Sequence, residues 1–166
     1  MGTHDGTDFE ALYRACRDDV YAYVASLLRD ASAAEDVTAL AFERVLRGRR
    51  RFDPQRGSER AWLFGIARNA ALDELRRRAR RTTLDREPID DAPLPDEVDE
   101  LAERRLVVRA ALRELPPRDR EIVLLKFIGR LSSSELARVI GTSETSATTR
   151  LSRALTRLRE ACGVTV

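Results

Sequence analysis

The stretch "ELARVIGTSETSATTRLSRAL", residues 135–155, decides the fold of the C-terminal part of this chain. An apolar run ends at Gly141, and a second helical pattern follows in which small hydroxyl residues alternate with arginines. Two short helices joined by a turn with a small residue are typical of a helix-turn-helix. Ser143 is in position to cap the second helix. The predicted inner stripe of that helix is Ala147, Leu151, Ala154, Leu155 and Leu158.

The outer face of the second helix is suited to duplex DNA. Short hydroxyl side chains let a helix backbone approach the major groove, and arginines reach phosphates or guanine edges. The alternative is a surface helix of an ordinary bundle, whose serines and threonines have no binding role. The predicted DNA-binding residues of this helix are Thr145, Ser146, Thr148, Thr149, Arg150 and Arg153.

Helical periodicity recurs along most of the chain, and no alternating pattern typical of strands is present. Aromatic residues make up only 5% of the chain, which disfavours sandwiches and barrels. We therefore expect an all-α protein. A capping-box pattern at Ser32 and Glu35 marks the expected start of the second helix, and Ser132 is expected to cap toward Glu135. The predicted helices occupy residues 8–28, Ser32 to near Gly48, Ser58 or Glu59 to 81, Asp99 to Leu115, and segments after Pro116, Ser132 and Ser143.

A proline-rich acidic segment separates two helical parts. Residues 82–98 contain three prolines and many acidic residues, and such a composition cannot bury enough apolar area to order itself. We expect a flexible acidic linker there, with small helical domains at residues 1–81 and 99–166. The second of these is the helix-turn-helix domain.

Charge is segregated along the chain although the net charge is only +2. Residues 82–103 carry nine acidic side chains and one arginine, whereas residues 43–60 carry seven arginines and three acidic residues. Residues 117–160 carry nine basic and five acidic residues. Basic blocks on both sides of an acidic segment indicate a polyanionic partner.

Several classes of function lack the residues that they need. His4 is the only histidine, and Cys16 and Cys162 lie far apart without metal-ligand spacing, so neither a metal nor another cofactor is expected. An all-α enzyme is disfavoured for the same reason. No apolar run approaches the roughly 20 residues that span a bilayer, and no signal-peptide pattern is present. These features predict a cytoplasmic protein that does not insert into a membrane.

The predicted third helix combines an apolar face with a basic end. The residues predicted on its buried side are Trp62, Leu63, Ile66, Ala67, Ala70 and Leu75. Trp62 follows an arginine-rich loop, so its ring is either a stacking platform for a nucleic-acid base or a core side chain. The arginines from Arg76 to Arg81 either complement the helix dipole or bind phosphate.

Three stretches together resemble the extracytoplasmic-function (ECF) sigma factors, two-domain initiation factors of bacterial transcription. "AEDVTALAFERVLR", residues 34–47, resembles the second conserved region of that family. "WLFGIARNAALDELRRRARR", residues 62–81, resembles its promoter-reading helix, and "LPPRDREIVLLKFIGRLSSSELARVIG", residues 115–141, with the helix that follows resembles region four.

The resemblance implies a set of partners and a division of roles. The N-terminal domain would bind the clamp helices of core RNA polymerase and the melted minus-ten strand, and the C-terminal domain would bind the minus-thirty-five duplex. An anti-sigma factor is a common further partner in the family. The implied polymerase-binding residues are Asp36, Ala39, Leu40, Glu43 and Arg47. The implied DNA-binding residues of the N-terminal domain are Arg50, Arg51, Phe52, Arg56, Arg60, Trp62, Asn69, Arg76 and Arg77.

The chain departs from the family pattern in both domains. Ala39-Leu40 stand where the family usually has a Gln-Glu pair, which makes the expected polymerase-binding surface more apolar. Thr148 stands where a basic residue is usual, which removes one expected phosphate contact. Two other interpretations remain, namely a stand-alone helix-turn-helix regulator and an adaptor that binds only proteins.

Overall fold

The computed structural model describes residues 5–81 and 100–163, which form seven α-helices and contain no strand. The all-α prediction is therefore confirmed. The chain divides into two compact units, Met1–Ala92 and Pro93–Val166. The predicted linker at 82–98 lies outside the described residues. The helices are α1 (Asp5–Leu28), α2 (Ala31–Gly48), α3 (Glu59–Arg81), α4 (Glu100–Glu114), α5 (Pro117–Phe127), α6 (Ser133–Ile140) and α7 (Glu144–Ala161).

In the N-terminal unit, α1, α2 and α3 pack on one another around an apolar core. Tyr23 of α1 meets Phe64 of α3 edge to face, with ring centroids 5.6 Å apart. Both rings are fully buried, and aromatic pairs in this geometry stabilise a core beyond their buried area. The other large, fully buried side chains of this unit are Val20, Val24, Leu28, Val45 and Leu63.

The second helix begins one residue before the predicted cap. Asp30, not Ser32, is the N-cap of α2, because its carboxylate accepts the N–H of Ala33 at 3.0 Å. The chain leaves α1 at Leu28 and turns through Arg29 at φ 54°, so Asp30 already occupies the extended conformation that a cap requires. Ser32 lies inside the helix and is exposed, and the capping-box prediction there is wrong.

The start of α3 agrees with the sequence, but its buried face is wider than expected. Ser58 Oγ accepts the N–H of Ala61 at 3.1 Å, and α3 begins at Glu59. Phe64, which the periodicity did not assign to the core, is fully buried. Because α3 packs against both α1 and α2, two neighbouring stripes of the helix are buried instead of one.

In the C-terminal unit, the predicted starts of the last three helices are confirmed. Pro117 is the first residue of α5. Ser132 and Glu135 form a capping box on α6, and Ser143 caps α7. The α4–α5 corner is held by Arg120, whose guanidinium donates to the carbonyls of Leu112, Arg113 and Leu115 at 2.8, 2.9 and 3.2 Å.

The turn between α6 and α7 uses glycine for its backbone conformation. Gly141 has φ 74°, in the left-handed region, and its N–H closes the end of α6. A Cβ at this position would meet no atom within 4 Å, so only conformational strain opposes a side chain there.

Gly129, between α5 and α6, is required for space. A Cβ there would overlap the carbonyl oxygen of Leu125 and lie 3.3 Å from Cγ of Leu131. A backbone carbonyl at the end of a packed helix cannot move away as a flexible side chain can, so this close approach excludes any larger residue.

We expect Gly129→Ala to destabilise the protein more than Gly141→Ala. The first change forces backbone atoms apart, at a cost of about 2 to 3 kcal/mol, and the second imposes left-handed strain of about 1 to 2 kcal/mol. Denaturant unfolding of the full chain, followed by circular dichroism, measures both. Equal losses, or a larger loss for Gly141→Ala, would contradict this account.

Candidate nucleic-acid and polymerase interfaces

The helix-turn-helix presents the predicted DNA-facing side chains of α7 to solvent. Ala147 and Ala154 are buried, and the three leucines of the predicted inner stripe are half-buried, so α7 is oriented as the sequence indicates. Arg150 is half-buried. The exposed residues of the predicted set are Thr145, Ser146, Thr148, Thr149 and Arg153.

Three hydroxyl groups at the start of α7 form local hydrogen bonds. Ser143 Oγ accepts the N–H of Ser146 at 3.1 Å and donates to Ser146 Oγ at 2.9 Å. Thr148 Oγ1 donates to the Glu144 carbonyl at 2.9 Å. Each of these hydroxyls keeps acceptor lone pairs for a further donor, such as a base amino group.

The cations of this unit divide into structural and exposed groups. Arg157 of α7 pairs with Asp119 of α5, and Lys126 Nζ donates to the Leu131 carbonyl at 3.0 Å. Within the described part of the chain, Arg150 and Arg153 form no ion pair. Among the described residues of α7, the arginines without an ion pair are therefore Arg150 and Arg153 in its first half and Arg159 near its other end.

The loop between α2 and α3 is built from two short 3-10 turns, Arg49–Arg51 and Pro54–Arg56. Asp53 Oδ1 accepts the N–H of Gln55 at 3.0 Å and so caps the second turn. Hydrogen-bonded turns fix much of the loop backbone, although no side chain of the two turns is buried.

Trp62 lies against this loop. Its ring centroid is 5.4 Å from that of Phe52, and a Cβ on Gly48 would lie 3.5 Å from Trp62 Cζ2. The indole is half-buried. Trp62 thus packs on the loop and on the end of α2 without being fully buried.

The loop arginines differ in their surroundings. Arg50, Arg51 and Arg56 are exposed. Arg60 instead pairs with Asp19 of α1, with 2.6 Å between Nη2 and Oδ2, and its side chain is only 18% exposed.

The basic end of α3 is partly neutralised by its own acidic residues. Arg76 lies 3.3 Å from Asp73, and Arg77 lies 3.1 Å from Glu74. Both arginines remain exposed, as does Asn69 about two turns earlier on the helix. Exposed pairs of this kind are worth about 0 to 1 kcal/mol, so they do not prevent these arginines from binding a phosphate.

Arg78 has a structural role that the sequence does not reveal. Its guanidinium donates to the Leu28 carbonyl at 2.9 Å and to Asp30 Oδ2 at 3.0 Å, and Nε donates to Glu74. It therefore ties the end of α3 to the α1–α2 corner. In the sequence, only the four-residue spacing between Glu74 and Arg78 indicates an ion pair of Arg78. That spacing does not predict the hydrogen bonds of Arg78 to the α1–α2 corner.

Family models match the two units separately. The model of sigma-70 region 2 matches residues 12–81, and that of sigma-70 region 4 matches residues 105–158. The ECF RNA polymerase sigma factor SigX of Bacillus subtilis is 31% identical over 160 residues, which cover 92% of this chain and 82% of SigX. The chain belongs to the ECF RNA polymerase sigma factors.

Another relative of this ECF sigma factor is longer. BldN of Streptomyces coelicolor, also an ECF sigma factor, is 35% identical over 142 residues, which cover 82% of this chain but only 53% of BldN. Among solved structures, the sigma factor RpoE in complex with the anti-sigma factor NepR, from Bartonella quintana, matches with a TM-score of 0.81 and 25% identity. That match covers 96% of this chain and 99% of RpoE.

In this ECF sigma factor, the residues assigned to polymerase binding lie on one side of α2. Leu40 is half-buried, and Glu43 pairs with Arg47 at 2.6 Å. Leu46 is 53% exposed and was missed by the sequence analysis. Leu46 lies three residues after Glu43, on the same side of α2, and outside the buried stripe of Val37, Ala41 and Val45. Helical spacing alone therefore predicts that Leu46 is an exposed apolar residue beside Glu43. The exposed members of the predicted set are Asp36, Ala39, Glu43 and Arg47.

Neither a metal site nor a membrane span is found in the parts of this sigma factor that the structure describes. Residues 5–81 and 100–163 contain no group of three or more His, Cys, Asp or Glu side chains arranged to bind a metal ion. No helix among them is both long and apolar enough to cross a bilayer.

Proposed function

We propose that the chain binds core RNA polymerase in the cytoplasm and directs promoter-specific initiation without catalytic groups of its own. The observation that carries this proposal is the presence of two exposed basic surfaces, one on each unit. The first is the loop surface, formed by Arg50, Arg51 and Arg56 beside Trp62. The second is the exposed face of α7. A stand-alone regulator that binds DNA only through α7 would not account for the match of residues 12–81 to sigma-70 region 2.

The two surfaces differ in the chemistry that they offer. The α7 face presents short hydroxyls and two arginines on a helix that fits a major groove, which suits duplex DNA at the minus-thirty-five element. The loop surface combines exposed arginines with a partly accessible indole, which suits unstacked bases of the melted minus-ten strand. We assign the α7 face to the domain at 99–166 and the loop surface to the domain at 1–81.

Polymerase binding is assigned to the exposed side of α2. Asp36 and Glu43 supply negative charge there, while Ala39, Leu40 and Leu46 supply apolar area. Charged groups around an apolar centre are typical of protein interfaces, in which the apolar centre supplies affinity and the charges set orientation. An anti-sigma factor is a further proposed partner, supported by the likeness to RpoE in complex with NepR.

We expect the purified chain to bind core polymerase without DNA. We expect Asp36→Arg to weaken that binding by tenfold or more, since reversing a charge in an interface places like charges in contact. A pull-down titration with core enzyme measures it. Asp18→Arg is the matched control, because Asp18 is an exposed carboxylate on α1, outside the surface assigned to polymerase. Equal binding by wild type and Asp36→Arg would reject the α2 assignment, and no binding by wild type would favour the stand-alone regulator.

We expect Arg153→Gln to reduce affinity for a minus-thirty-five duplex and to lower the salt slope of binding by about one, since one phosphate contact releases about one counterion. Arg159→Gln is the control, because Arg159 is exposed near the other end of α7. Fluorescence anisotropy of labelled duplex across a salt series measures both variants. An Arg153→Gln slope equal to that of wild type would remove Arg153 from the DNA contact.

We expect replacement of residues 50–56 with the loop of a relative that uses another promoter to change minus-ten preference and leave minus-thirty-five preference unchanged. The reason is that the two elements are assigned to different units. Reconstituted transcription from libraries randomised at each element measures the preferences, and thermal unfolding checks that the graft is folded. A folded, active graft with unchanged minus-ten preference would move base selection to the α3 face around Asn69.

A further inference from the structure

Helix α1 contacts both ends of the loop that joins α2 to α3. At the start of the loop, the guanidinium of Arg49 lies over the ring of Phe9, 5.8 Å from its centroid. At its end, Arg60 pairs with Asp19. Phe9 and Asp19 are ten residues apart on α1, which corresponds to about 15 Å along the helix axis. The helix thus supports the loop at two separated points.

The contact at the end of the loop is the stronger of the two. Arg60 Nη2 donates to Asp19 Oδ2 at 2.6 Å, Nη1 donates to Cys16 Sγ at 3.3 Å, and the guanidinium lies 5.1 Å from the Phe64 centroid. The side chains of Arg60 and Asp19 are 18% and 34% exposed. A charge-assisted bond that is sheltered from water and formed by a rigid guanidinium restrains its partners more than an exposed pair does.

We propose that Asp19 and Arg60 form a positioning pair that fixes the α2–α3 loop for the melted promoter strand, and that Arg60 does not itself bind DNA. This inference rests on the proposed function of the loop. It divides the loop arginines by role, because Arg50, Arg51 and Arg56 are exposed to a ligand whereas Arg60 faces α1. Asp19 becomes a residue on which promoter opening depends, although it lies on a helix with no other assigned contact to DNA.

The position of Arg60 is transmitted to the loop through Trp62. Trp62 follows Arg60 by two residues in the first turns of α3, and its ring packs on Phe52 in the middle of the loop. A shift of this end of α3 therefore changes the Phe52–Trp62 contact. Trp62 is the only tryptophan of the chain, so its fluorescence reports this contact directly.

The test compares Asp19→Asn, Arg60→Gln and the double variant with a control pair on the same helix. The control is Glu10→Gln with Arg14→Gln, because these two residues also form an ion pair, but their side chains are 60% and 76% exposed. Two quantities are measured on each variant. They are Trp62 emission of the full chain and the rate of open-complex formation with core polymerase, on a promoter selected from the randomised libraries.

Each single variant of the positioning pair should shift Trp62 emission to longer wavelength and slow open-complex formation several-fold. The double variant should be no slower than either single variant, since two residues that act only through each other show non-additive effects. The control pair should leave both quantities unchanged. Additive effects of Asp19→Asn and Arg60→Gln, or unchanged emission in both, would overturn the proposal.

The salt dependence of promoter binding separates positioning from direct contact. Arg56→Gln should lower the salt slope of the holoenzyme by about one, whereas Asp19→Asn and Arg60→Gln should leave it unchanged. A slope lowered by about one in Arg60→Gln would show that Arg60 contacts a phosphate and would overturn the proposal. If Arg60→Gln fails to fold by circular dichroism, the double variant of Asp19→Asn with Arg60→Gln takes its place, because it removes the charge of Arg60 without leaving the Asp19 carboxylate uncompensated.

A failure of the proposed function would give a different result from a failure of the positioning proposal. A wild-type chain that opens no promoter with core polymerase would reject the sigma-factor role of the loop. The emission of Trp62 in the Asp19 and Arg60 variants would still decide whether the pair positions the loop.

Discussion

The packing of α3 against α1 and α2 is the constraint on which the N-terminal unit depends. Small residues allow this close approach, since Ala61, Ala67, Ala70 and Ala71 are all buried on α3. The edge-to-face contact of Tyr23 with Phe64 fills the centre, and Arg78 ties the far end of α3 to the α1–α2 corner. Because α3 is fixed in this way, the loop before it, the indole of Trp62 and the basic end after it all have defined positions.

Much of the fold could be predicted from the sequence because its signals are local. Ser132 with Glu135, Ser143 and Pro117 each define the start of a helix through contacts within one turn, and all three predictions are confirmed. Ser32 has the same local pattern with Glu35, yet Asp30 is the cap. The difference arises from the short connection to α1 and from Arg78, which lies 48 residues away in sequence and bonds Asp30.

The candidate surfaces were predictable in part for the same reason. The exposed and buried sides of α7 follow from helical spacing, so Thr145, Thr149 and Arg153 could be assigned to the outside from the sequence. Arg60 could not be separated from its neighbours in the loop, since its partner Asp19 lies 41 residues earlier. Phe64 was missed because one helix contacts two others, and a single-stripe pattern does not describe a helix with two buried neighbours.

A count of arginines therefore overstates the DNA-binding surface of this chain. Residues 43–60 carry seven arginines, but Arg49 lies over Phe9 and Arg60 is paired with Asp19. Burial distinguishes the arginines that stabilise the fold from those that are available to DNA. Removing one partner of a sheltered pair leaves an uncompensated charge, which costs several kcal/mol, whereas an exposed arginine is worth little to the fold and is available to a phosphate. A chain with thirty basic and twenty-eight acidic residues can thus be nearly neutral overall and still direct positive charge at two places, because internal pairing neutralises the arginines that serve the fold.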